Sequence, residues 1–221
     1  MTVLFVILTF AVFITIDYFM NRGRVAVPAP AKPQLSPQLG PPDIVAGFQV
    51  PAHLRYHAGH TWLLKERKNV HRVGADEFAA ILAGPIDRIE TTRPGRWVRQ
   101  GEKVAALYRG AEKIELVSPV EGEVTEVNNQ LLDHPELLRN DPYGRGWLMT
   151  VFSPDEESPS RNLLPSALIR SWMAEAAEGF FRLQPGVAGA TAADGGRPLK
   201  DATAQLPPEA WKKAARDFLL N

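Results

Sequence analysis

Hydrophobic and polar positions divide this chain into four segments with different periodicities. A continuous apolar run comes first, then a proline-rich stretch, then many short alternating runs, and finally two stretches with apolar residues at helical spacing. Alternation with period two predicts strands, whereas spacings of three and four predict amphipathic helices. We predict a mainly β protein with a transmembrane helix at residues 1–22, a proline-rich linker at 23–52, a β domain at 53–154 and a C-terminal helical extension at 155–221.

The first segment runs from Val3 to Met20 and contains one ionisable residue, Asp17, near its end. About 20 apolar residues cross a bilayer as a helix, a length that this run narrowly meets. In lipid the backbone must satisfy its own hydrogen bonds, which favours a helix despite the many β-branched residues. We therefore expect residues 3–20 to lie in the lipid bilayer.

The charges around this run predict its orientation. Arg22 and Arg24 follow it, and no basic residue precedes it. The positive-inside rule then predicts a single-pass protein of a bacterial-type inner membrane, with its N-terminus outside and its globular part in the cytoplasm. A cleaved signal peptide is the alternative, because "VAVPAPA" imitates a small-residue cleavage site, although signal peptides begin with a positive region.

Residues 25–51 contain seven prolines, which exclude a helix interior or a central strand. Such a segment tends to an extended conformation and acts as a semi-rigid spacer. It would hold the globular part away from the membrane, or alternatively dock on a partner as an ordered strap.

The third segment is typical of a small β-barrel or sandwich, since its short strands alternate with glycine turns. "LRYHAGHTWLLKER" is predicted as one strand, and a break at Glu121-Gly122 separates two others. One helix interrupts the pattern: Asp76 can cap it, and Gly84-Pro85 ends it.

Two further helices are predicted after residue 155, one over Pro165–Phe181 and one within "PPEAWKKAARDFLL". Both are amphipathic, so their apolar faces need a surface. That surface is either the β domain or a partner.

Composition excludes several classes of partner and of chemical site. The formal net charge is zero and there is no cysteine. Neutrality argues against a nucleic-acid partner, and the lack of cysteine excludes disulfides and thiolate sites. No nucleophile elbow or motif-placed carboxylate pair is present, so we do not expect an enzyme.

Four stretches of the β domain together resemble a known family. They are "HTW" at His60–Trp62, "VGADEFAAILAGPIDRIE", "PGRWVRQGE", and "SPVEGEVTEVNNQLLDHPELLRNDPYGRGWL". The region from about Leu54 to Ser153 resembles the H-protein of the glycine cleavage system, a lipoyl-carrying β-barrel related to biotinyl and lipoyl domains. The resemblance implies an H-protein-like β-barrel sandwich.

The lipoyl attachment position of that family falls on an unexpected residue. The resemblance places the modified lysine seven residues before the serine of "SPV", which is Ala111 here, and the family's preceding glutamate at Tyr108. The nearest lysine is Lys113, on the same face of the predicted strand but below the tip. We therefore expect no cofactor, with lipoate attached to Lys113 as the alternative.

Histidines and tryptophans offer other candidate sites. His53, His57 and His60 could suggest a metal site, but their spacing does not point two of them the same way on a strand, so we predict structural roles and no metal. His71 and His134 are expected on the surface or in loops. The tryptophans expected to pack in cores are Trp97, Trp147, Trp172 and Trp211.

Two hypotheses for function follow. The first is a membrane-anchored scaffold or accessory subunit that binds other subunits of a membrane protein complex. The second is a membrane-tethered lipoyl carrier with Lys113 as its attachment site.

Overall fold

The computed structural model describes residues 13, 15, 43–155, 161–183, 203–204 and 206–220. The chain divides into two units, residues 1–39 and 40–221. Of the first unit only Phe13 and Thr15 are described, and both are helical. Among the described residues no helix has the length and apolar character needed to cross a bilayer. The predicted membrane segment lies almost entirely outside those residues and stays a prediction.

Eleven strands of the described region form three antiparallel sheets. The strands are β1 (Asp43–Val45), β2 (Phe48–Val50), β3 (Arg55–His57), β4 (Thr61–Arg67), β5 (Val70–Ala75), β6 (Arg88–Thr91), β7 (Trp97–Val98), β8 (Lys103–Arg109), β9 (Glu112–Val117), β10 (Gly122–Val127) and β11 (Trp147–Phe152). β1 pairs with β2, six strands follow the order β3-β4-β5-β11-β10-β7, and three follow β6-β8-β9. The expectation of a mainly β domain is confirmed.

Five helices accompany these sheets within the described residues. They are α1 (Glu77–Ala83), α2 (Asn129–Asp133), α3 (Leu137–Asn140), α4 (Ser166–Arg182) and α5 (Pro208–Leu219). α1 begins and ends where its sequence predicts: the Asp76 carboxylate accepts a hydrogen bond from the Ala79 N–H, and Gly84 closes the helix with φ of 69°.

The stretch "LRYHAGHTWLLKER" forms two strands rather than the single strand predicted. β3 turns back into β4, with Tyr56 opposite Trp62. The His60 N–H bonds to the His57 carbonyl at 3.0 Å, and His60 adopts a φ of +58°. A period-two pattern continues through such a tight turn, so alternation alone did not reveal the reversal.

Residues 43–50, predicted as linker, form the β1–β2 hairpin instead. Asp43 lies opposite Val50, and Val45 lies opposite Phe48. Val45, Phe48 and Val50 are buried in the core. The physical reason is that Pro42 precedes this stretch and Pro51 follows it, which leaves every N–H between them free to pair.

The C-terminal helices pack on the β domain, which decides between the two surfaces left open by the sequence. Met173 and Phe180 of α4 are buried, and the Phe180 ring lies 6.1 Å from that of Phe48. Trp211 and Leu219 of α5 are completely buried. The core therefore includes side chains from outside the predicted 53–154 segment.

Replacing Trp211 with alanine should lower the free energy of unfolding by about 3–5 kcal/mol, because a fully buried aromatic side chain is removed. Chemical denaturation of the full chain in detergent measures this. Lys213→Ala is the matched control, since Lys213 is an exposed residue of the same helix and should change stability by less than about 0.5 kcal/mol. Equal effects would mean that α5 does not complete the core.

Candidate functional site

The hairpin formed by β8 and β9 occupies the position at which the resemblance expects an attachment site. Arg109 lies opposite Glu112, so Gly110 and Ala111 form a two-residue loop at its tip. Gly110 has a φ of +59°, which glycine adopts without the steric cost that a side chain brings. The tip therefore carries no amine.

Lys113 lies below this tip, opposite Tyr108 in the β8–β9 ladder. Its Nζ donates a hydrogen bond at 3.0 Å to Glu115, which also accepts one from Lys103 Nζ at 2.6 Å. The bond to Glu115 raises the pKa of Lys113, and the bond from Lys103 lowers the pKa of Glu115. Lys113 is thus held as an ammonium ion in an ion pair.

The neighbouring strand β6 holds the other side of the hairpin. Tyr108 donates its hydroxyl to Glu90 at 2.7 Å, and this bond raises the pKa of Tyr108. The guanidinium of Arg88 lies 3.9 Å from the centre of the Tyr108 ring. At the tip, the Gly110 N–H donates to the Asp87 carboxylate at 2.6 Å. These contacts leave the tip anchored on its β6 side.

Arg109, the last residue of β8, is bound by the C-terminal part of the chain. Its guanidinium donates to the carbonyls of Thr203 at 2.9 Å and Leu206 at 3.3 Å. The same group lies 4.1 Å from the centre of the Trp211 ring, within the range of a cation–π interaction. Partial burial lowers the pKa of Arg109. A planar guanidinium suits this combination of stacking and forked donation.

The residues that hold Arg109 are themselves fixed to α1. Trp211 Nε1 donates to the Leu82 carbonyl at 3.0 Å, and the Thr203 hydroxyl donates to the Ile81 carbonyl at 3.1 Å. A Cβ at Gly84 would lie 2.5 Å from the Thr203 hydroxyl, so this close approach requires glycine. We call the contacts of Thr203, Leu206 and Trp211 with Arg109 and α1 the C-terminal clamp.

A lipoyl group does not fit the tip of this hairpin. Amide attachment needs a lysine amine, and the two tip residues are glycine and alanine. Lys113 has an amine, but it sits within a paired strand and its charge is engaged by Glu115. The described side chains of this hairpin form ion pairs and hydrogen bonds.

Two of the three histidines of "HLRYHAGH", His57 and His60, are buried and held by neighbouring groups. The His60 ring is stacked between Phe78, at 4.1 Å between ring centres, and Trp172, at 4.4 Å. Its Nδ1 lies 2.8 Å from the Asp76 carboxylate. His57 accepts the Gly59 N–H at 3.1 Å, whereas His53 is exposed. No group of three metal-ligating side chains occurs among the described residues.

Two expectations about single residues are wrong. His71 is buried within β5 rather than placed on the surface, because β5 is an interior strand of the six-stranded sheet. Trp97 is 48% exposed rather than buried, because β7 is a two-residue strand at the edge of that sheet. Trp172 and Trp211 pack as expected, and His134 is exposed.

The hairpin and the surrounding sheets define a domain of the lipoyl type, and comparison with known proteins supplies the family. The model of the family described as "Glycine cleavage H-protein" matches residues 54–175. This chain belongs to the glycine cleavage H-protein family.

Two H proteins that are similar in sequence agree with this assignment. The chain is 36% identical to a glycine cleavage system H protein of Escherichia coli, over 48% of this chain and 83% of the relative. It is 40% identical to the one from Thermobifida fusca, over 49% and 86% respectively. The crystal structure of an H protein from Mycobacterium marinum aligns with a TM-score of 0.47 at 25% identity, covering 57% of this chain and 98% of that one.

The role of Arg109 was not predicted from the sequence. The apolar spacing around Trp211 indicated a buried helix face, but nothing near Arg109 distinguishes it from a solvated arginine beside a turn. The contact joins a hairpin to a distant helix, and such pairing cannot be read from local periodicity.

Replacing Arg109 with alanine should loosen the hairpin, because two hydrogen bonds and one cation–π contact are lost, together about 1–3 kcal/mol. Amide hydrogen exchange in the full chain should speed up at residues 106–115 and at the start of α5. Arg93→Ala, which removes an exposed arginine, is the control and should leave these rates unchanged. Unchanged exchange in Arg109→Ala would contradict the clamp.

Proposed function

We propose that this protein is a membrane-anchored, non-catalytic member of the H-protein family that works as a scaffold or accessory subunit of a membrane protein complex. It binds partners through its folded surface and carries no lipoate. In this proposal the family's β domain is retained and its attachment position is lost.

The observation that carries the proposal is the state of the β8–β9 hairpin. The resemblance puts the attachment position at Ala111, and Ala111 lies in the tip loop, where a carried group would project. Arg109, two residues away, is bound to Thr203, Leu206 and Trp211. A tip without an amine, next to a residue held by the C-terminal clamp, is suited to a fixed surface rather than to a swinging arm.

A lipoyl carrier with Lys113 as its attachment site is the second candidate. Lys113 favours it, because its side chain is 50% exposed and it lies two residues after Ala111 in the sequence. Its ion pair with Glu115 disfavours it, because an ammonium must lose its proton before it can form an amide. The first candidate therefore has the stronger support.

Intact-mass measurement of the full chain, produced in cells with an active lipoate-attaching system, should give the mass of the unmodified sequence. Lys113→Arg should have no adduct either, and should unfold within about 0.5 kcal/mol of the parent, because an exposed cation is retained. The Escherichia coli H protein, produced in the same cells, is the positive control. A lipoyl adduct that is present in the parent and missing from Lys113→Arg would establish the carrier instead.

The membrane anchor is supported by the sequence of residues 3–20 and by the basic residues after it. Asp17 is the only charged residue of the run, and Arg22 and Arg24 supply the charge asymmetry that orients single-span proteins. A bilayer attachment would bring the β domain to a membrane complex without requiring a membrane-binding surface on the domain itself.

Alkaline phosphatase fused after Asn221 should be inactive, because the proposed topology keeps the fusion point in the cytoplasm, where the enzyme's disulfides do not form. Green fluorescent protein fused at the same position should fluoresce and sediment with the membrane fraction. Strong phosphatase activity would contradict the proposed topology. A fluorescent fusion in the supernatant would contradict the proposed membrane anchor.

A further inference from the structure

A groove rich in basic side chains lies between the β8–β9 hairpin and α5. It has a volume of about 340 Å³, and its lining residues are Lys103, Lys113, Ile114, Glu115, Lys212, Ala215 and Arg216. The buried side chains of Ile114 and Ala215 form its apolar part. We call this the basic groove.

The cations of the basic groove outnumber the carboxylates that face them. Lys103 and Lys113 share one carboxylate, that of Glu115, at 2.6 and 3.0 Å. Lys212 pairs with Glu112 at 2.8 Å and with the highly exposed Glu209 at 3.1 Å. Arg216 is exposed and has no ion pair or hydrogen bond with any described residue. Among the described residues, four cations of the groove therefore face three carboxylates, and the Arg216 guanidinium pairs with none of these three.

We propose that the basic groove binds an acidic segment of a protein partner, whose carboxylates reach Arg216 and the two lysines that share Glu115. This inference rests on the proposed function, since it names the chemistry by which the scaffold holds a partner. It also assigns Lys113 a role as a binding cation rather than an attachment site. Complementary charge of this kind speeds association and selects the partner more than it adds affinity.

The exposure of the groove favours a peptide segment over a small ion or metabolite. The side chains of Lys103, Lys113 and Lys212 are 53%, 50% and 31% exposed, so a ligand among them would remain largely in contact with water. Small-molecule sites usually enclose most of their ligand within a mainly apolar pocket. An exposed polar rim beside a small apolar floor is instead typical of protein interfaces.

Fluorescence anisotropy with the full chain in non-ionic detergent tests the proposal, using a fluorescein-labelled hexaglutamate peptide as the probe. The probe should bind, and Arg216→Glu or Lys113→Gln should each weaken binding by about three- to fivefold, since each removes a cation from an exposed groove, where a single ion pair contributes modestly. Raising the salt from about 50 to 300 mM should weaken it further, because exposed charges are screened. Lys113→Arg should keep the affinity of the parent.

Lys68→Glu is the matched control, because Lys68 is an exposed cation in the turn between β4 and β5, in a different sheet from the hairpin, and does not line the groove. It should change the affinity by less than about twofold, given that exposed charges act weakly at a distance. Thermal melting of each variant confirms that it is folded, and a labelled hexaglutamine peptide should not bind.

Three results would overturn the proposal. They are no binding of the acidic peptide, equal weakening by Lys68→Glu, or displacement of the peptide by inorganic phosphate at matched ionic strength with an affinity as high as the peptide's own. A failure here is separable from a failure of the proposed function, because binding is measured on chain shown by mass to be unmodified.

Discussion

The cation–π contact between Arg109 and Trp211 joins the three parts of the described structure. Trp211 fills the core beside α1 and donates its indole N–H to the Leu82 carbonyl. Its ring also stacks against the guanidinium of Arg109, the last residue of β8. A buried indole needs both an apolar environment and an acceptor for its N–H, and this position supplies both. The hairpin, α1 and α5 therefore hold one another in place.

This arrangement changes what the hairpin can do. A two-residue loop is a suitable tip for presenting a side chain, but Gly110 and Ala111 present no reactive group. With Arg109 bound on one side and Tyr108 bound to Glu90 on the other, the strands next to the loop are fixed. Rigid elements are better suited to position partners than to move a cargo. The same clamp places α5 beside β9 and so creates the basic groove. The packing of α5 on the hairpin therefore connects the family fold with the proposed role.

Particular elements show how much could be predicted from the chain alone. The cap and stop of α1, Asp76 and Gly84, lie where the pattern predicted them, because capping depends on residues close in sequence. The strand pair at residues 43–50 was not predicted, since proline content averaged over the surrounding stretch concealed a short alternating run. The prediction that Trp97 is buried was wrong, because aromatic character is informative about burial only when the strand's position in its sheet is known.

The sequence by itself determined the fold class, the family and the identity of the tip residues. Periodicity, turn glycines and the motif from Ser118 onward are local properties, and counting along the chain is sufficient to find Ala111. Only the tertiary structure decided what α5 packs against, that Arg109 is held rather than solvated, and that Lys103, Lys113, Lys212 and Arg216 share one groove. These contacts join residues far apart in the chain, and their geometry depends on burial that no local pattern encodes. A helix face shows only that it must be covered, and the fold alone selects the covering surface.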